Sequence, residues 1–173
     1  MTIRAVAIHT AGTWSAAAGT VLLDYESRFL RRKRLQAEGG ESFLVDLPET
    51  VSLSDGDAFA LEDGRMIAVR AAAEPVLLIR GELARLAWHI GNRHTPCQIG
   101  ADHLAIRADH VLEAMLRQLG ARVEPATAPF TPEGGAYGHG RTMGHDHSHS
   151  HDNSHSHSHG HDHSHDPLPS SRA

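Results

Sequence analysis

Cysteine is almost missing from this chain: Cys97 is the one thiol in 173 residues. That excludes an intrachain disulfide framework and any metal site built from several of the chain's own thiolates. Aromatic residues make up only 5%, a thin supply for one large core. No apolar run approaches the roughly 18 residues that a membrane span needs. Met1 to His9 carries one arginine and a few apolar side chains, and His9, Thr10 and Thr13 then interrupt what would be a signal-peptide core. The expectation is a reducing, cytoplasmic setting with no membrane partner. A basic surplus is missing too. Up to Met143 there are 15 Lys+Arg against 17 Asp+Glu, and beyond it one Arg against four Asp. This balance excludes a nucleic-acid binder that relies on a basic surface. Neither His-Glu-x-x-His nor a Walker A loop occurs. With no motif supplying ligands, an open metal position and a general base, the chain is expected not to be an enzyme.

What the chain has is histidine. Ten of its 16 histidines fall between His145 and His165: His145, His147, His149, His151, His155, His157, His159, His161, His163 and His165. Near-alternate imidazoles can gather around a divalent ion in many equivalent ways, and imidazole suits nickel, copper and zinc. Each ligand must be neutral, so binding should weaken below about pH 6. Serine, aspartate and glycine interleave the run, unlike an uninterrupted expression tag. Storage without delivery stays open as an alternative use.

Three zones divide the chain. Residues 1–72 read as β structure. Val21-Leu-Leu-Asp-Tyr, Ser42-Phe-Leu-Val-Asp-Leu and Met66-Ile-Ala-Val-Arg are short strand-like runs, separated by Gly39-Gly40, Leu47-Pro48, Asp55-Gly56 and Asp63-Gly64. Asp63-Gly64 signals a hairpin in which both residues tolerate φ > 0. Arg28 to Arg34 packs five basic residues into seven positions. It is either a solvated strand edge protected by charge or a docking patch for an acidic partner.

Residues 73–143 read as strand, helix, strand, strand, helix, strand, the ferredoxin-like βαββαβ order. Leu83, Leu86, Ala87 and Ile90 share one helical face, with Gly91 as the expected stop. Asp109 is the expected N-cap of a second helix with Val111, Leu112, Met115, Leu116 and Leu119 as its stripe, closed by Gly120. Arg122-Val-Glu is a short last strand before Pro125, and residues 127–144 form a Pro/Gly-rich connector. Residues 144–173 are low complexity and should be disordered without a ligand. The expected class is α+β: a β-rich N-terminal domain, a ferredoxin-like domain and a His-rich tail. Each domain is marginal alone, so mutual packing or dimerisation would help.

Six histidines lie outside the tail: His9, His89, His94, His103, His110 and His139. A lone histidine is usually structural. Yet one or two ligands per chain can close a metal site where a two-fold axis joins two chains. His110 sits in a helix's first turn, where imidazolium is disfavoured and the neutral, ligating form favoured.

Gly91-Asn-Arg-His-Thr-Pro, Asp109-His-Val-Leu-Glu-Ala-Met-Leu-Arg-Gln-Leu-Gly, Pro129-Phe-Thr-Pro-Glu-Gly-Gly-Ala-Tyr and a His-rich tail together resemble the urease accessory protein E family, nickel metallochaperones of urease maturation. The second half of the chain carries the likeness closely, the first half in general pattern. The resemblance implies an N-terminal domain related to chaperone peptide-binding modules and a ferredoxin-like domain that binds metal and forms a homodimer. It implies that His94 from two chains shares one Ni2+ at the dimer axis. His89 matches a further metal histidine of some members. A His-Asp-His pair of other members reads Ala108-Asp109-His110 here, so only His110 carries over. Tail histidines would complete the shell or hold further ions, Zn2+ and Cu2+ included. Nickel would pass by ligand exchange to the urease GTPase accessory protein and the urease apoprotein. Cys97, close to His94, is either an extra ligand or a small buried residue. A divalent-metal buffer, a metal-dependent enzyme and a peptide holdase are the rival readings.

Overall fold

Alternation of apolar and polar residues builds the first sheet. In a strand successive side chains face opposite ways, and strand β4 (Ser42–Ser52) turns Phe43, Val45 and Leu47 inward. Strands β1 (Arg4–His9), β2 (Gly19–Leu23), β3 (Phe29–Gln36), β5 (Ala58–Leu61) and β6 (Met66–Ala71) join it in the order β2-β6-β5-β1-β4-β3. The computed structural model describes residues 2–134. His139 and all ten tail histidines lie outside the described residues.

Sheet one is mixed: β1–β4 and β2–β6 are parallel, the other pairs antiparallel. Just past β3, the amide of Glu38 donates to the carbonyl of Thr20 at 2.8 Å. One edge of the sheet thus meets the other and curls it around a core in which Phe43 and Phe59 meet edge to face at 5.6 Å. The hairpin at Asp63-Gly64 forms, but only Gly64 takes a positive φ, 87°. Gly64 closes a turn back to Leu61 at 2.9 Å, so one left-handed residue suffices. Leu47-Pro48 does not break β4. Between the pairs Arg32↔Asp46 and Leu30↔Val51 the register shifts, and Pro48 falls in that irregularity, where no ladder donor is needed. The same shift lets Leu30 and Leu35, five residues apart, both face the core. Only Ala72 separates the sheets.

The second sheet is strand β7 (Ala73–Arg80), β8 (Gln98–Ile99), β9 (Leu104–Arg107) and β10 (Arg122–Pro129), in the order β10-β7-β9-β8 and antiparallel throughout. Helices α1 (Leu83–Gly91) and α2 (His110–Gln118) pack on it through Leu86, Ile90 and Leu116. Asp109 caps α2 as expected, accepting from the amides of Val111 and Leu112 at 2.8 and 2.9 Å. Gly120, at φ 86°, ends the helix. Its amide bonds the carbonyl of Arg117 and that of Ala121 bonds Leu116, both at 3.0 Å, the paired bonds of a Schellman stop. Val111 departs from the expected stripe and is exposed. Strand β10 runs on through Pro125 to Pro129 because it is an edge strand and its proline can face away from the ladder.

The basic stretch Arg28–Arg34 is not one feature. Arg31, Arg32, Lys33 and Arg34 are exposed on β3, an edge strand, and Arg32 and Arg4 both face Asp46. Arg28 is instead 4% exposed at the junction of the two sheets. There Glu74 accepts the amide of Tyr25 at 2.7 Å and faces Arg107 at 3.4 Å, while Arg107 also pairs with Glu26.

Candidate functional site

The last turn of α1 determines how His94 is presented. Amides of Asn92, Arg93 and His94 continue to bond back to Trp88, Ile90 and Gly91 at 3.0, 3.0 and 2.9 Å. Gly91 is the last residue of the helix, where the stop was expected, but it does not take the left-handed conformation: that falls to His94, at φ 53°. Pro96 keeps Thr95 out of the helical region, so the helix cannot run on past His94. An L-residue held left-handed stores about 1–2 kcal/mol, and histidine is among the side chains that tolerate it best. Backbone strain of this kind persists where surrounding structure imposes it, often at functional positions. His94 is exposed.

His89 lies on the same last turn of α1, half-buried, its ring edge to face with Trp88 at 5.0 Å. Carbonyls at a helix C-terminus favour a nearby metal cation. His89 and His94 are both at such an end. His110 is at the opposite kind. It opens α2, exposed, at a terminus whose amides repel a metal cation. Asp109 beside it is committed to the helix cap, and position 108 is alanine.

Cys97 is half-buried against the core of the second sheet. Burial pushes its thiol up to about 11, with the nearby Glu133 carboxylate adding to the effect. At neutral pH it is a protonated thiol, and the thiolate is the metal-ligating form. That supports the packing role over the ligand role.

Two features escaped sequence reasoning. At the β8–β9 turn, His103 Nδ1 lies 2.8 Å from Asp102, which also pairs with Arg80. Its hydrogen bond to His103, then that to Arg80, holds the Asp102 carboxyl below the usual range. A side chain on Gly100 would strike the His103 ring at 2.8 Å, so glycine is what lets the ring fold over the turn. The second feature is residues 130–134, read as connector but held in place. Phe130 is wholly buried, and the amides of Thr131 and Glu133 donate to the Gln98 side chain at 2.8 Å and the Cys97 carbonyl at 2.9 Å. The one available signal was a lone aromatic between Pro129 and Pro132.

Among the described residues, no three of His, Cys, Asp and Glu gather where they could hold a metal ion. His94 is thus an exposed residue on a left-handed backbone, and no set of ligands is completed around it among the described residues. The donor chemistry fits a borderline divalent ion, with further ligands to come from elsewhere. The second unit also exposes Trp88, Ile99 and Val111, each more than half accessible. No helix among the described residues is long and apolar enough to cross a membrane.

Two family models match the sequence. "UreE urease accessory protein, N-terminal domain" covers residues 2–72, and "UreE urease accessory protein, C-terminal domain" covers residues 74–166. Among curated proteins, "Urease accessory protein UreE" of Rhodobacter capsulatus is 66% identical over 143 residues, 83% of this chain and 92% of the relative. The protein of the same name from Cereibacter sphaeroides is 65% identical over 136 residues, covering 78% of this chain and 75% of its own. That of Paracoccus denitrificans is 73% identical over 122 residues, covering 70% of this chain and 79% of its own.

Proposed function

The chain belongs to the UreE family of urease accessory proteins, and from that premise we propose that it is a nickel metallochaperone that delivers Ni2+ to the urease maturation complex. The observation that carries this reading is His94, held left-handed and exposed at the end of α1. One imidazole holds a divalent ion too weakly to keep it. Two, brought together at the two-fold axis of a homodimer, would hold it better while leaving positions open for exchange. Nickel is cargo here, so weak, incomplete coordination serves release.

The proposed homodimer forms through the second unit, read as a ferredoxin-like metal-binding and dimerisation domain. Exposed Trp88, Ile99 and Val111 supply apolar surface of the kind that dimers cover. His89 would assist from the same helix end, and His110 would be a minor ligand for the reasons of charge given above. The tail histidines capture ions and raise their concentration near His94 by tethering. Nickel then moves by ligand exchange to the GTPase accessory protein of urease and to the apo-enzyme, in the cytoplasm. Zn2+ and Cu2+ would compete, copper most strongly by intrinsic affinity, so metal supply and partner decide selectivity.

Native mass spectrometry of the chain ended at Met143 tests this. The expected result is a dimer holding one nickel, lost in His94→Ala. A monomer that takes up no nickel would leave the tail as the metal binder and favour the storage reading.

A further inference from the structure

The segment that leads into the tail is fastened to both sheets. After β10 the chain does not leave the molecule at Pro129. Phe130 is wholly buried, with its ring edge to face with Tyr25 at 5.3 Å. Its carbonyl accepts from the guanidinium of the buried Arg28, which itself lies 5.7 Å from the Tyr25 ring centre. From there residues 131–134 cross to the opposite edge strand, β8, where Gln98 and the Cys97 carbonyl receive the amides of Thr131 and Glu133. The order β10-β7-β9-β8 makes this three strand steps of about 4.8 Å, a shift of roughly 14 Å. Cys97 is three residues from His94, no more than about 11 Å along the chain. The strap therefore moves the root of the tail from the far edge of the sheet to the side that carries His94.

We propose that Arg28 is a positioning residue for metal delivery: together with Tyr25 it latches Phe130, and so roots the His-rich tail beside His94. This rests on the metallochaperone reading and goes beyond it. It gives the N-terminal unit a part in metal handling that needs no metal ligand of its own.

The physical effect is on tether length. From Gly134 to His145 the chain has eleven residues to cover, at most about 40 Å. Releasing the strap at Phe130 lengthens the tether by four residues and moves its root to the far edge. Effective concentration falls at least as the −3/2 power of tether length. The change in residue number alone gives roughly 1.6-fold, and the displaced root adds to it, so an overall slowing of about twofold to fivefold is expected.

The test uses the full chain with Arg28→Met, which removes the donors and keeps an apolar stem. Gln98→Ala, which frees Thr131 from the other end, serves as a second variant should burial make Arg28→Met unfold. Amide hydrogen exchange at Thr131 and Glu133 reads the latch without metal. Broadening of the His94 ring-proton resonance after less than one equivalent of Ni2+ reads arrival at His94. Both variants should exchange these amides at least about tenfold faster, as expected when a local bond no longer closes. They should fill His94 about twofold to fivefold more slowly, with unchanged final affinity. The slowing should vanish when each variant is ended at Met143, which a merely structural defect would not do. Unchanged exchange would overturn the latch. Faster exchange with unaltered filling would overturn its positioning role. If His94 never takes nickel in the unaltered chain, the metallochaperone reading falls and with it the positioning role, while exchange still judges the latch.

Discussion

The two units of this chain solve the same burial problem differently. The first curls six strands around a core that takes both Phe43 and Phe59, and its exposed edge carries arginine and lysine. The second lays two nine-residue helices on four strands and has no aromatic residue in its own cluster. Its α1 leaves Trp88 in solvent and its α2 leaves Val111 there. A sheet that closes on itself can stand as a scaffold. Both units leave large apolar side chains in solvent, Val6, Leu22 and Phe29 on the first and Trp88, Ile99 and Val111 on the second, but the second has the smaller core and so less stability to spare. The proposed metal chemistry sits on the second.

Truncating each core is the severest way to break that contrast. Phe59→Ala should cost about 3–5 kcal/mol and Leu116→Ala about 2–5 kcal/mol. The outcomes should differ more than the energies. The second unit has less to lose, so Leu116→Ala should abolish nickel uptake by the chain ended at Met143. Phe59→Ala should lower the urea midpoint of the first unit while some uptake persists. Equal loss of uptake in both variants would mean that the units fold as one cooperative block.

A gentler change sharpens the comparison at His94 itself. Glycine carries no penalty at φ 53°. His94→Gly should therefore raise stability by about 1 kcal/mol relative to His94→Ala, which keeps the strain. Both should lose nickel at this position. Equal urea midpoints for the two variants would show that the left-handed turn stores no strain. Comparable in size is Asp109→Ala, which removes the cap of α2 at a cost of about 1 kcal/mol. It should leave the first unit's transition where it is.

These positions also show what could be read from sequence. The α1 stripe, the α2 stripe apart from Val111, the Asp109 cap, the Gly120 stop and the order of elements along the second unit follow from local periodicity and capping chemistry. That His94 rather than Gly91 turns left-handed is a local fact too, but it depends on Pro96, two residues beyond, forcing the exit. Strand β1 was hidden because Ala5 is its one fully buried side chain, so its alternation is faint, although it lies inside the sheet. Arg28 looked like its neighbours in a basic run. Only the meeting of residues 102 positions apart, Arg28 and Phe130, separates it from them, and no sequence period encodes such a contact. Where the chain leaves the second sheet was not legible either, because the strap's polar contacts are set by tertiary packing.

The smallest expected effect at neutral pH concerns Cys97. Its thiol is raised by burial to about 11. A group whose pKa is higher folded than unfolded contributes stability that is fully present below the unfolded value and is lost as pH rises towards the folded one. Cys97 therefore has no effect on pH dependence around neutrality. It should make wild type lose stability relative to Cys97→Ala only between about pH 9 and pH 11. At pH 7 Cys97→Ala should leave nickel stoichiometry unchanged, and thiol alkylation should run roughly 100-fold slower than for an exposed cysteine, as a rise of about two units implies. A nickel–thiolate absorption band lost in Cys97→Ala would show that the ion itself draws off the proton. The ordered site would then combine sulfur with imidazole, and the second unit would hold its cargo more firmly than two imidazoles can.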